Sequence, residues 1–175
     1  TYLFRPEAAL AAAAESEARW RRGEARALEG VPVTIKENIA TAGDPMPLGT
    51  AGREPPIMPA DAPAAARMRE AGTVLVTKTT MPDYGMLSSG LSSFHRLARN
   101  PWDVSKTPGG SSAGAGGAAA AGFGPLHLGT DIGGSVRLPG TWSGIVALKP
   151  SFGRVPVDPP YWGRVVGPMT RTVAD

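Results

Sequence analysis

Apolar and polar positions change period several times along the chain, and each change predicts an element. Residues 6–22 (PEAALAAAAESEARWRR) are alanine-rich, with Pro6 near the start and Gly23 just past the end, which predicts a helix. Val31, Val33 and Ile35 then alternate with Pro32 and Thr34, a short strand that delivers Lys36 at its end. Residues 40–60 carry prolines and glycines without periodicity and read as loop. Asp61 is placed to cap a helix running to about Ala71 and closed by Gly72. Val74-Leu75-Val76 reads as a buried strand. Strand, helix and strand in that order predict an α/β unit with a parallel pair.

Beyond residue 80 the periodic signal thins. Pro82 to about Leu87 reads as a short helix, and Asn100-Pro101-Trp102-Asp103 as a turn. The run Thr107-Pro108-Gly109-Gly110-Ser111-Ser112-Ala113-Gly114-Ala115-Gly116-Gly117, followed by Ala118 to Ala121, reads as a loop entering a helix of very small residues. Such a helix can sit directly behind a site. Leu126 and Leu128 mark a strand that ends in Gly129-Thr130-Asp131-Ile132-Gly133-Gly134-Ser135. Neither a repeat nor a domain linker interrupts the chain. The expectation is one domain over residues 1–175, cut at both ends from a longer one.

Composition narrows the chemistry. The 23 glycines are more than average usage predicts, and they cluster between residues 109 and 144, which points to a site built from backbone. The net charge is +3, with Arg19, Arg21, Arg22 and Arg26 as its densest stretch. These arginines alternate with Glu15, Glu17, Glu24 and Glu29, the pattern of a solvated helix face and not of a nucleic-acid footprint. The chain has no cysteine, which excludes thiol nucleophiles, disulfides and cysteine-held metals. No apolar run approaches the roughly 18 residues of a membrane span, and no signal peptide is visible, so the expected location is cytoplasmic.

Two glycines and a serine after a strand make a sharp turn whose backbone N–H groups can converge. An oxyanion hole requires this: donors about 2.7–3.1 Å from the oxygen that becomes negative. A tight turn with a capping serine would read the same. A serine nucleophile needs a base, and His95 and His127 are the two histidines. His127 lies between Leu126 and Leu128 in the predicted strand and reads as packed. Lys36 follows an apolar strand, so its ammonium could be desolvated and its pKa lowered. A lysine at a strand end is also commonly just solvated.

The motifs together resemble the amidase signature family. Gly109-Gly110-Ser111-Ser112 and Gly129-Thr130-Asp131-Ile132-Gly133-Gly134-Ser135-Val136-Arg137-Leu138-Pro139 are similar to its signature stretch. Gly30-Val31-Pro32-Val33-Thr34-Ile35-Lys36-Glu37-Asn38 resembles its lysine motif, and residues 148–155 and 167–171 match further segments in order. Ser135 lies 24 residues after Ser111, and Ser111 lies 75 after Lys36, as the pattern requires.

The resemblance implies an α/β fold, a mixed twisted sheet covered by helices, present in part. It implies a Ser–Ser–Lys triad: Ser135 attacks the amide carbonyl, and Ser111 relays its proton to Lys36. The Gly110–Ser111 bond would be cis. The oxyanion donors would be the N–H groups of Ile132, Gly133, Gly134 and Ser135, with Asp131 and Arg137 holding the turn. The implied reaction is hydrolysis of a linear C–N amide through an acyl-enzyme, with a small amide as substrate and neither metal, cofactor, membrane nor nucleic acid as partner. A homodimer is left open. Ala113 stands for a usual glycine, Glu37 for an aspartate, Gly140 for an alanine or serine, and Ala147 for a glycine.

Other readings compete. Gly110-Ser111-Ser112-Ala113-Gly114 fits the G-x-S-x-G elbow of α/β-hydrolases, with Ser112 as nucleophile, although polar turn precedes it and no histidine follows in order. Gly114-Ala115-Gly116-Gly117-Ala118-Ala119 fits a dinucleotide loop, yet no apolar strand leads into it. Within the family, the chain could serve as the glutaminase component of tRNA-dependent transamidation. It could also be an inert piece of a longer amidase.

Overall fold

The computed structural model describes residues 1–175. Helix α1 spans Pro6–Arg22, as expected, and ends on Gly23 in the left-handed region. Strand β1 spans Pro32–Lys36, helix α2 Pro63–Ala71 and strand β2 Val74–Thr79. Helix α3 spans Ala113–Ala120 and strand β3 Leu126–Asp131. Helix α4 follows at Arg137–Ser143, strand β4 at Val146–Ala147 and strand β5 at Val165–Thr170.

One five-stranded sheet runs in the order β2-β1-β3-β5-β4. Strand β1 pairs in parallel with β2 on one side and β3 on the other, whereas β5 runs antiparallel to β3, and β4 antiparallel to β5. The sheet is therefore mixed, as the resemblance implied. Lys36 and Asp131 end two neighbouring parallel strands at the same edge. In open α/β sheets this carboxyl edge is where ligands bind.

Strand β1 shows how the faces are used. Val33 and Ile35 point into a core formed with Ile39, Ala64, Ala65, Leu128 and Val166. The alternate residues Thr34 and Lys36 share the opposite face, as period-two geometry requires. Helix α3 is built of small residues, six of them buried. A Cβ on Gly114 would collide with the backbone nitrogen of Thr80, so α3 lies close over the end of β2. A second small core of Ala115, Val136 and Met169 joins α3 and α4 to the sheet.

Several expectations are corrected. Asp61 does not cap α2: Ala62 is the N-cap, and the Asp61 carboxylate instead accepts from the Ala42 N–H (2.8 Å) and Arg69 (2.8 Å). Strand β2 continues to Thr79, beyond Val76. The short helix expected from Pro82 is a single 3₁₀ turn, Asp83–Gly85. Glu29 is not part of a solvated face. It is buried, accepting from Ser16 Oγ at 2.6 Å and from Arg26.

Candidate active site

Lys36 is completely buried, and its ammonium meets three hydroxyl oxygens: Ser111 Oγ at 2.7 Å, Thr130 Oγ1 at 2.9 Å and Ser112 Oγ at 3.1 Å. They come from two separate parts of the chain. Thr130 sits on β3 beside β1, while Ser111 and Ser112 lie in the turn that starts α3. A Cβ on Gly110 would approach the Ser89 carbonyl oxygen to 2.5 Å, so segment 87–89 closes directly over this turn. The Gly110–Ser111 peptide bond is cis.

Burial pushes the Lys36 pKa down to about 7, and the Arg164 charge adds to the fall, against the opposing pull of Glu37 and Asp131. A neutral amine has two N–H groups and one lone pair, so one of its three neighbours must donate to it. Ser112 Oγ lies 3.2 Å from the Thr130 carbonyl oxygen, which can accept its proton, and 3.3 Å from the Thr130 N–H, which donates to it. Ser111 has no acceptor for its proton other than Lys36 within the chain. Thr130 Oγ1 has Asn38 Oδ1 as an acceptor at 3.4 Å, which leaves Ser111 as the neighbour placed to donate to this amine.

A second buried lysine shows what this geometry adds. Lys78 donates to the Ile39 carbonyl (2.5 Å) and to Thr41 Oγ1 (2.9 Å), and burial pushes its pKa down to about 8. A carbonyl can only accept, and the Thr41 hydroxyl already gives its proton to Asp44 (2.6 Å). Neither partner of Lys78 can supply a proton.

Ser111, Ser135, Thr130, Ile132 and Gly133 open onto one cavity of about 360 Å³. Residues 132–136 form the turn between β3 and α4, and the Ser112 N–H donates to the Ser135 carbonyl at 3.1 Å, which ties the two serine turns together. Asp131 organises the turn from within. Its carboxylate accepts the N–H groups of Gly134 (2.9 Å), Val136 (3.0 Å) and Arg137 (3.3 Å), and the Arg137 guanidinium at 2.9 and 3.1 Å. Burial opposes its charge, but the guanidinium and the three backbone donors prevail and hold its pKa at about 2.

This arrangement removes one residue from the expected donor set. The Gly134 N–H is committed to Asp131, and Gly134 is buried beneath the turn at φ +123°. The N–H groups of Ile132, Gly133 and Ser135 carry no protein acceptor, and these three residues line the cavity.

The competing serine and loop readings fail on placement. Ser112 is fully buried beneath the site, does not reach the cavity, and has no strand before it. Residues 114–119 lie within helix α3 and not in a loop after a strand, with Gly114 against Thr80 and Gly116 against Pro139. His127 is buried as well. Its Nε2 donates to the Gly124 carbonyl (3.0 Å), so Nδ1 accepts from Thr34 Oγ1 (2.8 Å), and burial lowers its pKa. His95 stands 3.0 Å from Glu37 Oε1 and does not line the cavity of the serines. No three His, Asp or Glu side chains converge on a metal-sized site.

The Amidase family matches residues 1–175, the whole chain. The chain belongs to the amidase signature family. Over 182 residues it is 44% identical to a glutamyl-tRNA(Gln) amidotransferase subunit from Chloroflexus aggregans, covering 97% of this chain and 36% of that protein. A crystal structure of an amidase superposes with a TM-score of 0.89 at 38% identity, over 98% of this chain and 41% of that one. The native peptide amidase of Stenotrophomonas maltophilia gives 0.87 at 32% identity, over 98% and 37%. The chain thus spans little more than a third of the length of these family members.

Sequence reasoning missed Thr130 and Asn38 as parts of the lysine site. Asn38 Nδ2 donates to Thr130 Oγ1 at 3.1 Å and so fixes the hydroxyl that Lys36 also binds. Both residues lie within the family motifs, but a threonine and an asparagine beside glycines look like turn formers, and only the pairing of β1 with β3 brings them together. No helix is long and apolar enough to cross a membrane.

Proposed function

We propose that the protein hydrolyses a linear C–N amide through an acyl-enzyme. Ser135 attacks the carbonyl carbon, and its proton passes through Ser111 to neutral Lys36. The tetrahedral oxyanion is held by the N–H groups of Ile132, Gly133 and Ser135. The proton then returns along the same route to the leaving amine, and a water activated in the same way releases the acid. The reading rests above all on one observation. A fully buried lysine, with its pKa lowered to about 7, meets a serine hydroxyl at 2.7 Å whose proton has nowhere else to go. No step requires a metal or an organic cofactor, and nothing in the proposal requires a membrane or a nucleic acid. A cytoplasmic location fits this chemistry. Ammonia or amine release from a panel of aliphatic, aryl and peptide amides, abolished by Ser135→Ala, tests it.

A second reading is favoured by the names of the relatives, which include a glutamyl-tRNA(Gln) amidotransferase subunit. Here the same triad would release ammonia from glutamine for a partner protein to use. Glutaminase activity that appears only with such a partner, with no turnover of the amide panel, would select this reading over the first.

A further inference from the structure

The cavity in front of Ser135 has one charged lining residue, Arg164. It is placed there by local structure. Gly163, at φ +77°, turns the chain just before β5, and the Arg164 N–H donates to the Tyr161 carbonyl at 3.0 Å. The guanidinium then lies 4.5 Å above the Tyr161 ring, a cation–π contact that fixes its orientation. Tyr161 lines the cavity beside it.

Arg164 forms no ion pair within the chain, and no Asp or Glu lines the cavity. The carboxylate beneath, Asp131, is fully engaged by Arg137 and three backbone N–H groups. Arg164 is also half-buried, and burial lowers its pKa. A partly desolvated charge without a counter-ion is unfavourable, and a protein that keeps one inside a cavity has a place for an anion. The guanidinium is a planar fork that matches a carboxylate with two parallel N–H···O bonds. Met86, Leu87, Ile132 and Leu138 form an apolar part of the remaining wall, and Asn38, Ser88 and Thr130 a polar part.

We propose that Arg164 anchors a carboxylate of the substrate, so that the protein acts on small amides that carry a free carboxylate. The inference rests on the serine amidase reading above. The carboxylate sits on Arg164, an aliphatic spacer lies against the apolar wall, and the amide carbonyl reaches Ser135. The 360 Å³ cavity suits a molecule of this size.

The test is protection of Ser135 against a fluorophosphonate probe, by succinamate and by the neutral analogue butyramide, in wild type, Arg164→Gln and Arg164→Lys. In the wild type, succinamate should protect at lower concentration than butyramide. Arg164→Gln should reduce this preference roughly 10- to 100-fold, the range of a lost charged hydrogen bond. Arg164→Lys should retain part of it, because the charge stays and the fork is lost. The same preference in wild type and Arg164→Gln, or a wild type protected equally by both amides, overturns the assignment of Arg164 and leaves the serine mechanism standing. No labelling of wild-type Ser135 at all would overturn the mechanism itself and this inference with it.

Discussion

A Cβ placed on Gly140 would lie 2.5 Å from the Cβ of Ala147. These are two of the positions at which the sequence departs from the family pattern, one losing a methyl group and the other gaining one. The structure sets them against each other where α4 packs on β4, so each departure accommodates the other.

Gly140→Ala alone should therefore destabilise the protein, even though alanine favours a helix by about 1 kcal/mol over glycine. Two Cβ atoms cannot approach so closely, and overpacking costs typically 1–3 kcal/mol. Adding Ala147→Gly should restore the double variant to within about 1 kcal/mol of the original. A denaturant double-mutant cycle measures this, and additive single effects would show that the two sites are independent.

Asp131 should matter far more to stability than its partner Arg137. Asp131→Ala leaves three backbone donors and a guanidinium without their acceptor, and should cost on the order of 3–5 kcal/mol. Arg137→Gln removes a side chain about half exposed, and should cost roughly 1 kcal/mol or less. The folded pKa of Asp131 is depressed, so its stabilisation is complete above the unfolded value near 4 and is lost as pH falls towards about 2. That window is worth about 2 kcal/mol, readable as a steeper acid limb in wild type than in Asp131→Ala.

Under the proposed mechanism Lys36 should set the pH dependence of the reaction. With its pKa at about 7, the rate should rise about tenfold per pH unit below neutrality and level off above it. Lys36→Ala should lose on the order of 10²–10⁴ in kcat. Lys36→Arg should be no better, because guanidinium does not deprotonate. Activity retained by Lys36→Arg would make Lys36 a structural cation.

The same lysine leaves a mark on folding. Its folded pKa is lowered, so burial of its charge costs stability most below pH 7, and the cost fades as pH rises towards the unfolded value near 10.4. Lys36→Met lacks this dependence. Between pH 6 and 10, wild type should gain on it by as much as roughly 4 kcal/mol, measured by urea unfolding at each pH.

How much of this was legible in the sequence depended on the kind of signal. Helix α1, strand β1 and the parallel pair announced themselves through alanine content, alternation and apolar runs. Strand β5 did not, because Gly167 and Pro168 interrupt it, and the proline is tolerated because its missing N–H falls beyond the last residue pair of β4, Ala147 with Met169. Helix α4 was hidden by Pro139 and Gly140, which are read as breakers until the turn before them is seen to be held by Asp131. For the proposed site, the motif order pointed to Lys36, Ser111 and Ser135, and the fold places Ser111 beside Lys36 and opens Ser111 and Ser135 onto one cavity. The engagement of the Gly134 N–H was not, since it depends on which way a carboxylate three residues earlier points. Arg164 escaped notice for a related reason: it belongs to no motif and reaches the cavity only through the turn at Gly163.

The central claim is that Ser135 is the nucleophile, while the neighbouring Ser111 and Ser112 serve the lysine. Peptide mass mapping of the protein after treatment with a fluorophosphonate probe tests it most directly. The account predicts a single adduct on Ser135, formed faster as pH rises through 7 and absent from Ser135→Ala. An adduct on Ser112, or labelling that survives in Ser135→Ala, would contradict it.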